Sequence, residues 1–300
     1  MMKSRKGIIL AGGNGTRLAP LTNAISKQLM PIYDKPMIYY PICTLMLAGI
    51  KEINLVVSYD YLDFFRKLLG DGSKWGIKIF YTKQFAPNGL TEGILLSEEF
   101  LDCSPVALIL GDNLFHGSSL MKHLNSGNSK INGATIFAYR VKDPQNYGVI
   151  DFDNKGKVLS IQEKPKLPKT NYAATGLYFY DKNVVEKAKS VKISQNGELE
   201  ITSLNQIYLE ENALNVELMG RGMAWLDTGT HESLHKASSF IRTLEDRQGL
   251  KVSCPEEIAW RKKWINDDQL RELAKPLMKS GYGNYLINLI KNQSIDNLFI

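Results

Sequence analysis

The stretch Gly7-Ile-Ile-Leu-Ala-Gly-Gly-Asn-Gly-Thr-Arg-Leu18, with Ser26-Lys-Gln-Leu-Met-Pro31 close behind it, carries more of the reading of this chain than any other. The apolar run from Ile8 to Ala11 predicts a buried strand that breaks into a glycine-rich turn bearing Arg17. Glycines let backbone amides approach phosphate oxygens, and Arg17 and Lys27 add fixed positive charge. Gly12, Gly13, Gly15 and Thr16 are therefore candidates for a triphosphate cradle. Two better-known phosphate loops do not fit. A P-loop needs two glycines around four residues and then Lys-Ser/Thr, and no such string occurs. The dinucleotide fingerprint G-x-G-x-x-G fits Gly13 and Gly15, but its third glycine falls on Leu18. On the loop alone an ordinary Gly-rich strand-to-helix turn remains the alternative.

Outward from this loop, apolar runs recur at Ile53–Val57, Val106–Leu110, Ala134–Tyr139, Gly176–Tyr180 and Val216–Leu218. Between the first three strands lie amphipathic stretches at Pro36–Gly49 and Tyr61–Leu69. Strands alternating with helices argue for βαβ units, hence an α/β fold with a mainly parallel sheet. In such sheets ligands bind at the carboxyl ends of the strands, so the Gly12–Arg17 loop and Gly111-Asp112-Asn113 are expected at one mouth. Val149–Phe152 and Val158–Gln162 flank Asp153-Asn-Lys-Gly156, a hairpin signal. This piece reads as a sugar-facing or lid-like subregion of the same domain. After Thr230 the pattern turns helical, at His231–Gly249, Cys254–Asn266 and Asp267–Ser280. The expected division is residues 1–240 as the catalytic domain and 241–300 as an appended helical region.

Composition narrows the class. Three hundred residues, 44% hydrophobic and 23% charged, are those of a globular protein with a sizeable core. No apolar run approaches the roughly 20 residues of a membrane span, so no membrane partner is expected. The opening Met1-Met-Lys-Ser-Arg-Lys6 leads into a strand rather than a secretory signal, which makes the cytoplasm the expected location. Cys43, Cys103 and Cys254 are far apart and form no CxxC pair, arguing against a disulfide framework or zinc ribbon. The net charge of +6 suits an anionic partner. Its lysines and arginines are dispersed without aromatic interleaving, which favours a nucleotide or sugar phosphate over nucleic acid.

Several residues are candidates for chemistry. Asp112 follows a buried strand, and Asp227 stands in Trp-Leu-Asp-Thr-Gly-Thr. Either could cap a turn, but two such aspartates beside a triphosphate loop favour Mg²⁺, which takes one or two carboxylates plus phosphate oxygens. Lys164 and Glu163, before the strand-ending Pro165, could be surface charges or sugar-side contacts. Tyr147-Gly148 offers an aromatic edge with close backbone access. His231-Glu-Ser-Leu-His235 matches the H-E-x-x-H pattern of zinc proteases, yet its context reads as a loop leading into a capped surface helix. No G-x-S-x-G nucleophile elbow occurs.

With these motifs in order, the chain resembles the bacterial glucose-1-phosphate thymidylyltransferases of the sugar-nucleotide pyrophosphorylase superfamily over nearly its full length. The carriers are Leu10–Leu18, Ser26-Lys-Gln28, Pro31-Ile-Tyr-Asp-Lys-Pro36, Leu110-Gly-Asp-Asn113, Glu163-Lys-Pro165, Thr175-Gly-Leu-Tyr178, Gly197-Glu-Leu-Glu-Ile-Thr202 and Trp225–Thr230. Arg247-Gln-Gly-Leu-Lys-Val-Ser-Cys-Pro-Glu-Glu-Ile258 separates it from uridylyl- and cytidylyltransferases. The resemblance implies a Rossmann-like nucleotidyltransferase fold and transfer from dTTP to glucose 1-phosphate, with Mg²⁺, giving dTDP-glucose and pyrophosphate for dTDP-rhamnose-type deoxysugars. It implies that Arg17 and Lys27 serve the departing phosphates, Lys164 the attacking phosphate, and Asp112 and Asp227 the metal. Leu10, Gln28, Gln84 and Gly89 would surround the base; Tyr147, Gly148, Glu163 and Tyr178 the sugar. It further implies a homotetramer with feedback by a dTDP-sugar at a second site around Lys251, Val252, Glu257, Ile258 and Arg261.

Departures from the family pattern are also legible. Asn196 stands where Arg-Gly-Glu-Leu-Glu usually begins, a position that contacts the sugar phosphate. Pro87-Asn-Gly-Leu-Thr-Glu-Gly93 replaces the usual Pro-Asp-Gly-Leu-Ala-Gln-Ala, putting Glu92 in place of a glutamine. Ala174 replaces valine, and His116 replaces a tyrosine near the second site that the resemblance implies. Asn196 and Glu92 together predict a site more negative by two formal charges. Losing a charge-assisted phosphate contact would cost about 1.5–3 kcal/mol. Three outcomes stay open: the thymidylyltransferase reaction, a paralogue using another sugar 1-phosphate or UTP, and a weak regulatory nucleotide-binding subunit.

Overall fold

The computed structural model describes residues 3–292. The chain opens with β1 (Lys6–Ala11) and, after the glycine loop, a short hairpin of β2 (Pro31–Ile32) and β3 (Lys35–Pro36). Then come α1 (Tyr39–Leu47), β4 (Glu52–Ser58), α2 (Leu62–Leu69), β5 (Lys78–Gln84), α3 (Leu90–Leu95), α4 (Glu98–Leu101), β6 (Val106–Leu110), β7 (Asn113–His116) and α5 (Leu120–Ser129). β8 (Ala134–Arg140), β9 (Gly148–Phe152), β10 (Val158–Glu163), β11 (Tyr172–Tyr180), α6 (Val184–Ser190), α7 (Ile201–Glu210), β12 (Leu214–Met219) and β13 (Ala224–Asp227) complete the strands. The helices α8 (His231–Gln248), α9 (Pro255–Arg261), α10 (Asp267–Ala274) and α11 (Tyr282–Lys291) close the fold.

Nine strands form one mixed sheet in the order β10-β9-β11-β6-β1-β4-β5, with β8 also on β11 and β12 on β8. The half that carries the glycine loop is parallel throughout: β1 pairs with β4 and β6, and β4 with β5. β11 then runs antiparallel to β6, β8 and β9, while β12 lies parallel to β8. Continuous apolar runs make the central strands because both faces are covered. Ile9, Leu55 and Val57 enter one apolar cluster with α1 and α2, while Ile8 and Val56 point to the other, with Ile201 and Leu204 of α7.

The expected hairpin is present, with β9 and β10 antiparallel around Asp153–Gly156. The helical tail divides between two buried clusters: Ala237, Ile241 and Val252 pack with Ile32, Met37, Tyr40 and Leu114 in a small one, and the later helices join the core of the sheet. Trp260, Leu270, Tyr282 and Leu286 belong to the same buried cluster as Ile9 and Leu55. The expected boundary at residues 240/241 falls inside α8, one continuous helix of 18 residues. Of the described residues, no helix is long and apolar enough to cross a membrane.

Candidate active site

β1 and β6 are neighbours, with Leu10 opposite Leu110, and the chain leaves β1 for β4 on one side but returns at β6 on the other. Loops that follow such strands diverge and open a crevice at the carboxyl edge. The Gly111 amide donates to the Leu10 carbonyl at 2.8 Å, tying the two loops at the floor. Above them lies a cavity of about 390 Å³. Leu10, Gly12, Gly13, Gly15, Thr16, Arg17, Lys27, Gln28, Gln84, Gly89 and Asp112 all line it, so every residue assigned to the nucleotide from sequence comes together. Gly12 is there because of close approach: a Cβ would stand 1.9 Å from Oε1 of Gln84. Gln28 is buried and its Oε1 accepts from the Ser26 hydroxyl at 2.7 Å. Glu198, given no role from sequence, lines the same cavity.

A second cavity, of about 750 Å³, adjoins the first and shares Arg17, Leu90, Leu110 and Asp112 with it. Tyr147, Gly148, Glu163, Lys164, Tyr178 and Asp227 line it. Lys164 is held in a left-handed backbone conformation, φ 39°, and its amide donates to the Tyr147 carbonyl at 3.0 Å. Its ammonium lies 3.2 Å from Glu163 Oε1, while Glu163 Oε2 accepts from the Thr202 hydroxyl at 2.5 Å. Trp225 packs against Tyr147 with ring centroids 5.1 Å apart. Thr202 and Trp225 are site residues that lay inside quoted motifs without a role. Burial pushes the Tyr178 phenol well above its ordinary range, with Glu163 adding to the effect, so it stays a neutral hydroxyl.

The two aspartates are set by a small ribbon. β7 and β13 pair antiparallel, which places Asp227 opposite Asn113. The Thr228 amide and hydroxyl donate to the Asp112 carbonyl at 3.1 and 2.8 Å. Asn113 is the hub: its Oδ1 accepts from the Trp225 indole at 2.6 Å and the Gly176 amide at 3.2 Å, and its Nδ2 donates to Asp112 Oδ1 at 3.0 Å. Lys27 pairs with the other oxygen of Asp112. Burial pushes the Asp112 carboxyl up, but Lys27 and these hydrogen bonds outweigh it and hold it below the usual carboxylate range. Asp227 is driven the other way, by burial and then by the like charge of Asp112, against the opposing pull of Lys27 and Arg17. Arg17 is guided by Gly229, whose Cβ would stand 2.5 Å from Nη2.

One residue stands apart from both cavities, and one expectation of charge needs correction. Asn196 lines neither cavity; it is exposed, and its Nδ2 donates to Glu200 at 3.1 Å, so its polarity is spent on a local loop contact. Nor does Glu92 add an uncompensated charge. Its Oε1 accepts from Asn88 Nδ2 at 2.7 Å, and Asn88 stands where the family pattern carries an aspartate. Acid and amide have changed places across one hydrogen bond, so the formal charge of this segment is unaltered. The exchange at positions 88 and 92 removes one of the two charges in the forecast, and the asparagine in place of arginine at 196 is the one that remains.

At the edge of the second cavity, which Thr230 and Ser233 line, His231 opens α8 behind Thr230, whose hydroxyl accepts from the Ser233 amide in a capping box, and His231 Nε2 lies 3.0 Å from the Ala19 carbonyl. This is the capped-helix reading of the H-E-x-x-H string. The proposed second site gathers around Tyr285. Its hydroxyl accepts from the Lys251 amide at 3.2 Å and donates to Glu257 Oε2 at 2.5 Å, while Glu257 Oε1 accepts from Arg261 at 2.7 Å. The Lys251 ammonium pairs with Asp34 and lies 3.1 Å from Glu245, which also receives the Val252 amide at 2.9 Å. Ile258 packs partly buried against the main core.

Residues 6–243 match the family model described as nucleotidyl transferase. The glucose-1-phosphate thymidylyltransferase of Neisseria meningitidis is 52% identical, over 95% of this chain and 99% of its own. That of Mycobacterium tuberculosis is 54% identical over the same shares. A solved Bacillus anthracis structure, assigned as a glucose-1-phosphate thymidylyltransferase in complex with sucrose, superposes with a TM-score of 0.74 at 36% identity. It covers 80% of this chain and 96% of its own.

Proposed function

The chain belongs to the nucleotidyl transferase family, and from that premise we propose that it transfers the thymidylyl group of dTTP to glucose 1-phosphate, releasing pyrophosphate and dTDP-glucose. The observation that carries this reading is the pair of adjoining cavities that share Arg17 and Asp112. A donor triphosphate in one and an acceptor phosphate in the other would meet at that shared wall. An oxygen of the sugar phosphate attacks the α-phosphorus in line; a new phosphorus–oxygen bond forms, the α–β bridge breaks and pyrophosphate departs. Both reactants are anions, so catalysis is chiefly positioning and charge neutralisation. Arg17 and Lys27 stabilise the departing phosphates. Lys164, on its constrained turn, steadies the attacking phosphate. Gln28, Gln84, Gly89 and Leu10 hold the base; Tyr147, Gly148, Glu163 and Tyr178 hold the sugar.

The acidic pair fits a magnesium ion. Two carboxylates close enough for one to raise the other call for a cation. In the described residues no third carboxylate, histidine or cysteine completes a protein cage. That matches Mg²⁺, which is held by one or two carboxylates with phosphates and water. Asp112 and Asp227 would hold it, and when bound it neutralises charge on the α-phosphate. Family resemblance further supports a cytoplasmic homotetramer supplying deoxysugar synthesis of the dTDP-rhamnose type, with a dTDP-sugar feeding back at Lys251, Val252, Glu257, Ile258 and Arg261. Pyrophosphate release with Mg²⁺, dTTP and glucose 1-phosphate tests the assignment. Turnover with that pair above UTP or other sugar phosphates is expected, and silence with dTTP refutes it.

A further inference from the structure

Gln84 ends β5 at the floor of the nucleotide cavity and is only 9% exposed. One end of its amide is tied, and the other lies against Gly12. Nε2 donates to Glu92 Oε2 at 2.6 Å, and Oε1 lies over Gly12. An ionised carboxylate accepts and never donates, so the NH₂ group must face Glu92 and the carbonyl oxygen is left for the cavity. Asn88 secures the other oxygen of Glu92 at 2.7 Å, which keeps the carboxylate from swinging away.

We infer that Glu92 is a positioning residue that sets the pyrimidine class accepted by the nucleotide cavity, by holding the Gln84 amide with its carbonyl oxygen toward the base. The inference rests on the assignment of Gln84 to the base made above. A carbonyl oxygen there pairs with a base edge carrying N3–H, as thymine and uracil do. Cytosine presents a bare N3 at the same point, so two lone pairs face each other and neither group is satisfied. Turned over, the same amide would present N–H and the preference would invert. Orientation, not the mere presence of Gln84, separates the two classes. The 5-methyl group is not sensed by this contact, so dUTP is handled like dTTP at this edge.

The chemistry also accounts for the exchange at positions 88 and 92. With aspartate at 88 and glutamine at 92, the acid would accept from the amide, whose own carbonyl would accept from Gln84. With Asn88 and Glu92 the acid touches Gln84 directly. Either order anchors Gln84 with one polarity. Glu92→Gln alone leaves three amides with no ionised acceptor, and each is free to turn over.

Initial rates of pyrophosphate release with dTTP, dUTP and dCTP, at saturating glucose 1-phosphate, read the effect as ratios of kcat/KM. The wild-type protein is expected to favour dTTP and dUTP together over dCTP. E92Q should lose roughly tenfold or more of that ratio, mostly through KM, because one buried pairing is no longer enforced. N88D/E92Q, which restores an anchored chain in the other order, should recover it; a role in folding alone would not produce this rescue. A wild-type protein without preference, an E92Q ratio equal to wild type, or a double variant as unselective as E92Q would each overturn the inference. If no triphosphate is turned over, the functional reading fails, and calorimetric binding of dTTP and dCTP to the same three proteins decides the orientation separately.

Discussion

Replacing Lys27 with methionine keeps the aliphatic stem and removes the ammonium that faces Asp112. The two side chains are 14% and 12% exposed, so water shields their charges poorly. Asp227 stands in the same field, already raised by burial and by Asp112. Removing one partner of a buried ion pair costs about 3–5 kcal/mol, since the other charge is left uncompensated. Protonation sets an independent ceiling: neutralising a carboxylate of pKa about 4 at pH 7 takes about three pH units at 1.36 kcal/mol each, or roughly 4 kcal/mol. The two figures agree. That escape becomes easier by about 1.36 kcal/mol for each unit of acidification, so the loss relative to wild type should shrink to about 1.4 kcal/mol at pH 5.

The signs follow from proton linkage. Asp112, held low in the fold, contributes stability that is present above its unfolded pKa and lost as pH falls through its folded value. Asp227, held high, costs stability above its unfolded pKa and gives that cost back in acid. Without Lys27 both carboxylates behave as Asp227 does, so the variant gains on the wild type as pH drops. Urea unfolding of both proteins at pH 5, 6 and 7, compared at equal m, measures the gap. A gap near zero at pH 7, or one that stays constant to pH 5, would refute the electrostatic account.

Two more substitutions separate activity from stability. Gly229→Ala puts a Cβ 2.5 Å from Arg17 Nη2 and must push the guanidinium aside. A fall in kcat/KM of roughly tenfold to a hundredfold is expected in the pyrophosphate assay, with little change in Tm, in the range seen when a preorganised donor is displaced. Lys164→Gly suits the left-handed backbone at that position and should raise stability by about 1 kcal/mol. The same change removes the ammonium assigned to the acceptor phosphate, so KM for glucose 1-phosphate should rise about tenfold. Unchanged KM would remove Lys164 from the acceptor site.

The parts of the site that lie on one continuous segment were legible in the sequence. Ile8–Ala11 runs straight into Gly12–Arg17, and Val106–Leu110 into Asp112; an apolar strand followed by a loop carries its own signal. What escaped was set by pairing across the chain. β7 and β13 are four residues each, too short for a pattern, and only their ladder puts Asp227 beside Asn113. Asn113, the hub of that junction, sat in a quoted motif but was overshadowed by its ionisable neighbour. β5 reads weakly because it alternates imperfectly at the sheet edge. The exchange of acid and amide between positions 88 and 92 is written in residue type, but the hydrogen bond that joins the two side chains is not, nor is the direction in which the Asn196 side chain faces. α11 buries Tyr282, Leu286 and Leu289, whose spacing of four and three is the periodicity of a helix.

The β7–β13 ribbon also gives the protein a timetable. Asp112 leaves the ribosome 115 residues ahead of Asp227, and the strand that aligns the second carboxylate is made with it. At about 5–20 residues per second, the growing chain spends roughly 6–23 s with its phosphate loop and first aspartate complete but its acidic pair unmade. Over that interval the glycine loop and Asp112 exist without β13, and Asp227 comes to stand opposite Asn113 only when β13 pairs with β7.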